Sequence, residues 1–102
     1  MRVTNKQVRT QVQQLKPFTS TTGYLFSIRR DNRYIVYSYG SHFPLFIYEG
    51  GAWYANADKY SVTTNRHYSH AHPHCDPAPM PMTTENMRIL AEHGIAGVAV
   101  QI

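Results

Sequence analysis

The stretch Leu45–Asn56, "LFIYEGGAWYAN", constrains this chain more than any other. Two runs rich in aromatic and aliphatic residues flank a Gly-Gly pair. Glycine reaches positive φ without steric cost, so the pair offers the tight turn that joins antiparallel strands. The spacing predicts a hairpin with strands over Leu45–Glu49 and Ala52–Asn56.

A second hairpin precedes it. "YLFSIR" reads as a strand from Tyr24 to Arg29, and "RYIVYSY" as its return from Arg33 to Tyr39. Asp31 and Asn32 between them tolerate turn conformations. In the return strand Tyr34, Val36 and Ser38 point one way, and Ile35, Tyr37 and Tyr39 the other. Neither set is fully polar, so both faces of this strand are expected to be covered. "DKYSVTT" suggests a short fifth strand from Tyr60 to Thr63. The centre of the chain is thus an antiparallel meander.

Helical spacing flanks the meander. Val8, Val12 and Leu15 fall on one face of a helix over Asn5–Leu15, capped by Thr4 or Asn5 and stopped before Pro17. Its other face carries Lys6, Arg9, Gln13 and Gln14, a solvated face or a phosphate-contacting one. "TTENMRILAEHG" predicts a second helix, with Thr83 or Thr84 as cap, Met87, Leu90 and Ala91 as the apolar face, and Gly94 as terminator. The expected fold class is α+β: a small antiparallel sheet of four to five strands with an N-terminal and a C-terminal helix. The tail "IAGVAVQI" could be a last strand or an extended edge. A length of 102 residues suits a single domain, residues 1–102, with three prolines making residues 75–82 an extended internal linker.

The residues "VYSYG", "HFPLFIY", Trp53 and "DKYSVTTNRH", between Tyr34 and His67, resemble a family of small bacteriophage-encoded proteins carried as a domain of unknown function. The resemblance covers about a third of the chain, with weaker similarity in "RVTNKQVR". It implies a phage setting and assigns no catalytic residue. Phage proteins of this size often act by binding DNA or host enzymes, or by inhibiting a defence system.

Charge narrows the partners. The formal net charge is +4, which favours nucleic acid, acidic proteins or anionic surfaces. Arg29, Arg30 and Arg33 surround one hairpin tip, with Lys59, Arg66 and His67 near the end of the meander. Tyr37, Tyr39, Trp53, Tyr54 and Tyr60 supply aromatic rings. A sheet that shows aromatics beside arginines can bind single-stranded nucleic acid, although no RNP-like motif is present. Core packing is the expected role of Tyr37 and Trp53.

"HYSHAHPHC" holds four of the six histidines and the single cysteine. His67, His70, His72 and His74, with Cys75, are potential ligands for zinc. His67 and His70 share a face if the segment is helical, and His70, His72 and His74 share a side if it is extended. No paired-cysteine motif accompanies them, so a polar loop before the prolines is the favoured reading. Thr63, Thr64 and Asn65 are good capping residues, and a helical turn starting there could hold a phosphate beside Arg66 and His67.

Catalysis finds little footing. No Gly-rich phosphate loop, nucleophile elbow or paired-carboxylate motif appears, and Cys75 precedes a proline-rich segment. A lone cysteine cannot form an internal disulfide and fits a reducing compartment. The N-terminus lacks an apolar signal core, and no run approaches the ~18 apolar residues of a membrane span. The expectation is a cytoplasmic, non-catalytic protein with no membrane partner and no required cofactor. Its first expected partner is nucleic acid or a nucleoprotein complex. The alternatives are an inhibitor or adaptor of a host enzyme or defence system, of the anti-CRISPR type, and a histidine-based metal-binding domain.

Overall fold

A computed structural model describes residues 2–38, 43–58, 62–75, 78–95 and 97. Seven strands and three helices follow in the order β1 (Arg2–Val3), α1 (Asn5–Gln13), β2 (Thr19–Ser20), β3 (Leu25–Arg30), β4 (Arg33–Ser38), β5 (Pro44–Glu49), β6 (Ala52–Asn56), α2 (Val62–Ala71), β7 (Met80–Met82) and α3 (Thr84–His93). The class is α+β, but the sheet has seven strands rather than four to five, and it is mixed rather than purely antiparallel.

The strands lie side by side in chain order. β2 through β6 form the antiparallel meander, while β1 runs parallel to β2 and β6 parallel to β7. Each parallel pair needs a crossover, and α1 and α2 supply them. Both crossovers join strands of the same direction and step the same way across the sheet. The right-handed rule therefore puts both helices on one face. Val8 and Val12 of α1 and Ala71 of α2 do share one core with Phe18, Leu25, Tyr34, Val36, Phe46 and Ala55. Helix α3 covers the other face, where Met87, Leu90 and Ala91 pack on Ile35, Tyr37, Ile47 and Tyr54. Strand β4 is buried along its whole length, as its two apolar faces require.

Local chemistry explains the joints. Gly50 and Gly51 both take positive φ (61° and 81°), the geometry of a two-residue hairpin turn whose twist matches its strands. Asp31 turns the first hairpin at φ 54°. Helix α1 begins at Thr4, whose backbone N–H donates to Gln7 Oε1 at 3.0 Å. It ends with Leu15 in the left-handed region at φ 56°, while the Lys16 N–H reaches back to the Gln11 carbonyl. Thr83 caps α3 by accepting from the Asn86 N–H, and Gly94 closes it at φ 80°.

Three expectations are corrected. Of the fifth strand expected over Tyr60–Thr63, Val62 and Thr63 instead open α2, and Tyr60 and Ser61 lie outside the described residues. The segment expected to be a plain linker contributes β7, which pairs with Tyr54–Asn56. Two-residue strands β1 and β2 add the other flank, too short to show any periodicity in sequence.

Candidate nucleic-acid interface

The arginine group at the first hairpin tip divides. Arg29 and Arg30 are consecutive on β3, so their side chains leave opposite faces of the sheet. Both are exposed. Arg33, expected among the contact residues, is 6% exposed and turned under α3. Its Nε donates to the Ala91 carbonyl and its Nη2 to the Glu92 carbonyl, each at 3.2 Å. Its Nη1 lies 4.0 Å from Glu49 Oε2. Arg33 therefore caps the carbonyl end of a helix and has no surface left for a phosphate. Lys59 lies outside the described residues. Arg66 is exposed on α2, remote in sequence from the hairpin tip.

What the sheet does assemble is a cross-strand row. Arg29 pairs with Tyr34, Tyr34 with Tyr48, and Tyr48 with Trp53. All four point to the face that carries α1 and α2. Three interstrand spacings separate Arg29 from Trp53, about 14 Å. Tyr34 is buried and donates its hydroxyl to the Lys16 carbonyl at 2.8 Å. Burial pushes that phenol well above its ordinary range. Arg29 Nη1 donates to the Leu15 carbonyl at 3.1 Å, which seats Arg29 at the close of α1, where exposed Lys16 follows in the chain.

Rings continue from this row. The Trp53 ring centroid is 6.2 Å from Tyr34, 5.2 Å from Tyr48 and 6.5 Å from Phe46, each edge to face. From α2, Tyr68 lies 4.7 Å from Phe46, and His72 lies 5.4 Å from Phe46. His74 stands 4.9 Å from His72. Tyr48, Trp53, Tyr68 and His72 are all half-buried: they fill the core with one side and reach the surface with the other. Arg9 and Gln13 of α1 hold the end of α2 in place by donating to the carbonyls of Ser69, His72 and Pro73.

The histidines serve packing first. His67 is 9% exposed, and its Nδ1 shares a 2.7 Å hydrogen bond with Ser38 Oγ, which is fully buried. Burial and the nearby His70 both lower the His67 pKa. His72 is lowered in the same way by burial, then by His74 and Arg9. Its Nδ1 accepts the backbone N–H of His74 at 3.0 Å, which leaves Nε2 to carry the ring proton. His67 and His70 do lie one turn apart on a helix, but the His67 ring is turned toward β4. Among the described residues no group of three or more His, Cys, Asp or Glu gathers as a metal site.

Of the aromatic residues expected to stack, only Trp53 stands in the row. Tyr37 is buried against Phe26 (ring centroids 5.4 Å) and Tyr54 under α3, both on the opposite face. Tyr39 and Tyr60 lie outside the described residues. Tyr48 was missed, although the register of the Gly-Gly hairpin places it opposite Trp53. Tyr68 and Lys16 carried no such signal.

Beside Trp53 the sheet edge opens into a pocket of about 360 Å³. Its lining includes Tyr48, Trp53, Tyr54, Cys75, Ala78 and Met80. The fold is thus a mixed α+β sheet with an aromatic row and pocket at one end. No protein-family model, no curated protein and no solved structure matches the chain. Among the described residues no helix is long and apolar enough to cross a membrane.

Proposed function

We propose that this chain is a small non-catalytic accessory protein, of the phage-borne kind its sequence resemblance implies, that binds nucleic acid. The observation that carries the reading is the row Arg29–Tyr34–Tyr48–Trp53, which puts the half-buried rings of Tyr48 and Trp53 on the same face as an exposed arginine, with buried Tyr34 between them, in a basic protein. Rings stack on bases whatever their sequence, and cations at the margin neutralise phosphates. Lys16 adds a second cation at the same margin.

The test is fluorescence anisotropy with a labelled single strand of about ten nucleotides, a length that one small fold covers. Binding is expected, with affinity falling as salt rises. Arg29→Glu weakens it, while Arg30→Glu, on the opposite face, serves as the control. Equal losses in both variants would remove the row from the mechanism, and no binding at low salt would remove nucleic acid.

A second reading, a protein-directed adaptor, rests on Met80, which is 57% exposed at the edge strand. A host protein that stays bound to the chain after nuclease treatment, and is lost with Met80→Glu, would favour it.

A further inference from the structure

We infer that the pocket beside Trp53 is the seat of a single unstacked base, which makes the ligand an unpaired strand rather than a duplex. The inference rests on the nucleic-acid reading and specifies its ligand.

Among the described residues that line the pocket, Tyr48, Trp53, Tyr54, Cys75, Ala78 and Met80, none carries an ionised side chain, so they suit the flat uncharged part of a nucleotide and not its phosphate. The charge lies outside it. Trp53 touches Tyr34, and the Tyr34 hydroxyl is tied to the Lys16 carbonyl beside Arg29. The base site at the sheet edge and the phosphate site at the close of α1 are therefore separate, with the ring row running between them. Charge complementarity with a polyanion is what singles out this occupant from other flat or apolar groups.

The pocket's walls fit the role. Gly51 and Ala52 at the turn add almost no bulk. Trp53 and Tyr48 meet at 63°, so they form a corner rather than one flat wall. Strand β7 begins to pair only at Tyr54. Ala52 exchanges its backbone hydrogen bonds with Glu49 across the turn, so it is the N–H and C=O of Trp53 that face the outer edge of β6, where they can meet the hydrogen-bonding edge of a base. A paired base has that edge occupied, and a stacked one has its faces covered. Only an unpaired base offers both.

The experiment compares four probes by anisotropy: a labelled single strand of about ten nucleotides, the same length as duplex, the same strand made abasic, and a short uncharged peptide with a central Phe. The chain's one tryptophan gives a second readout, because a base stacked on Trp53 quenches its emission. The expected result is that the single strand binds and quenches, while duplex and abasic strand bind weakly and do not quench. Ala78→Phe, at an exposed position on the pocket's lining, puts a ring where the base would sit against Trp53 and Tyr48, and then weakens single-strand binding roughly tenfold, as loss of one stacked base does. Two failures are distinguishable. If the abasic strand and duplex bind as well as the single strand and Ala78→Phe has no effect, the base pocket is overturned and the basic surface survives. If no nucleic acid binds, both fall, and quenching by the peptide alone assigns the pocket to a protein partner.

Discussion

The two faces of the sheet are closed in different ways. Under α3 aliphatic side chains from the helix meet a mixed sheet surface, with Met87 and Leu90 fully buried against Ile35, Ile47, Tyr37 and Tyr54. Its charged groups face inward: Arg33 caps the helix carbonyls, and Glu49 Oε1 accepts the Ile95 N–H at 2.8 Å. Under α1 and α2 the packing is aromatic and stops short of closure, leaving Tyr48, Trp53 and His72 half-buried. Arg29 and Arg33 make the contrast within one hairpin. One is a lock inside the fold and the other a surface group, because strand alternation sends them to opposite faces. A cluster of like residues in sequence is therefore not a cluster in space.

The largest effect is expected where that lock is broken. Arg33→Ala takes the donor from two helix carbonyls and the facing charge from Glu49, and removing one member of a buried pair costs about 3 kcal/mol. Urea denaturation should show a lowered midpoint, and an unchanged midpoint would make Arg33 a surface residue after all. On the open face the loss should fall on binding instead. Trp53→Ala removes a stacking ring worth about 1–3 kcal/mol per base, read by anisotropy with labelled strands. Arg29→Glu should be smaller and electrostatic, leaving the urea midpoint almost unmoved while the slope of log affinity against log salt drops by about one contact. If Arg29→Glu unfolds the chain, the two arginines are not different in kind.

The smallest effect comes from pH. His67 and His72 have lowered pKa values in the fold because burial disfavours their charged forms. Their contribution to stability is complete above the unfolded value of 6.5, and it is lost as pH falls below that value, where the unfolded chain takes up protons first. The urea midpoint should drop between about pH 7.5 and pH 5.5, and His72→Phe should flatten part of that drop.

Much of the meander was legible. Gly50-Gly51 fixed the second hairpin, and β6 runs over the expected residues. The apolar face of α3 and its Gly94 stop were also readable, because caps and periodicity are local signals. Helix α2 was legible only as a capped turn at Thr63, Thr64 and Asn65 and as one of two readings of the histidines, since Val62, Thr63 and Thr64 are poor helix formers and Arg9 and Gln13 from α1 hold its far end. Strand β7 was hidden by Pro81, which tolerates only an edge position. The site was half legible. Alternation alone separates Arg29 from Arg30, and turn register alone pairs Tyr48 with Trp53. The burial of Arg33 depends on carbonyls 58 and 59 positions away, which no local pattern announces.

The strand order has a kinetic meaning. Every strand lies next to its neighbour in the chain, so none must be inserted between two that have already met. Loop closure stays short from β2 to β6, so the sheet can grow outward from its middle, while β1 and β7 join through the longer crossovers that hold α1 and α2. The central strands should then be the last to release their amide protons to deuterium and the short flanks the first, an order that hydrogen exchange would read strand by strand.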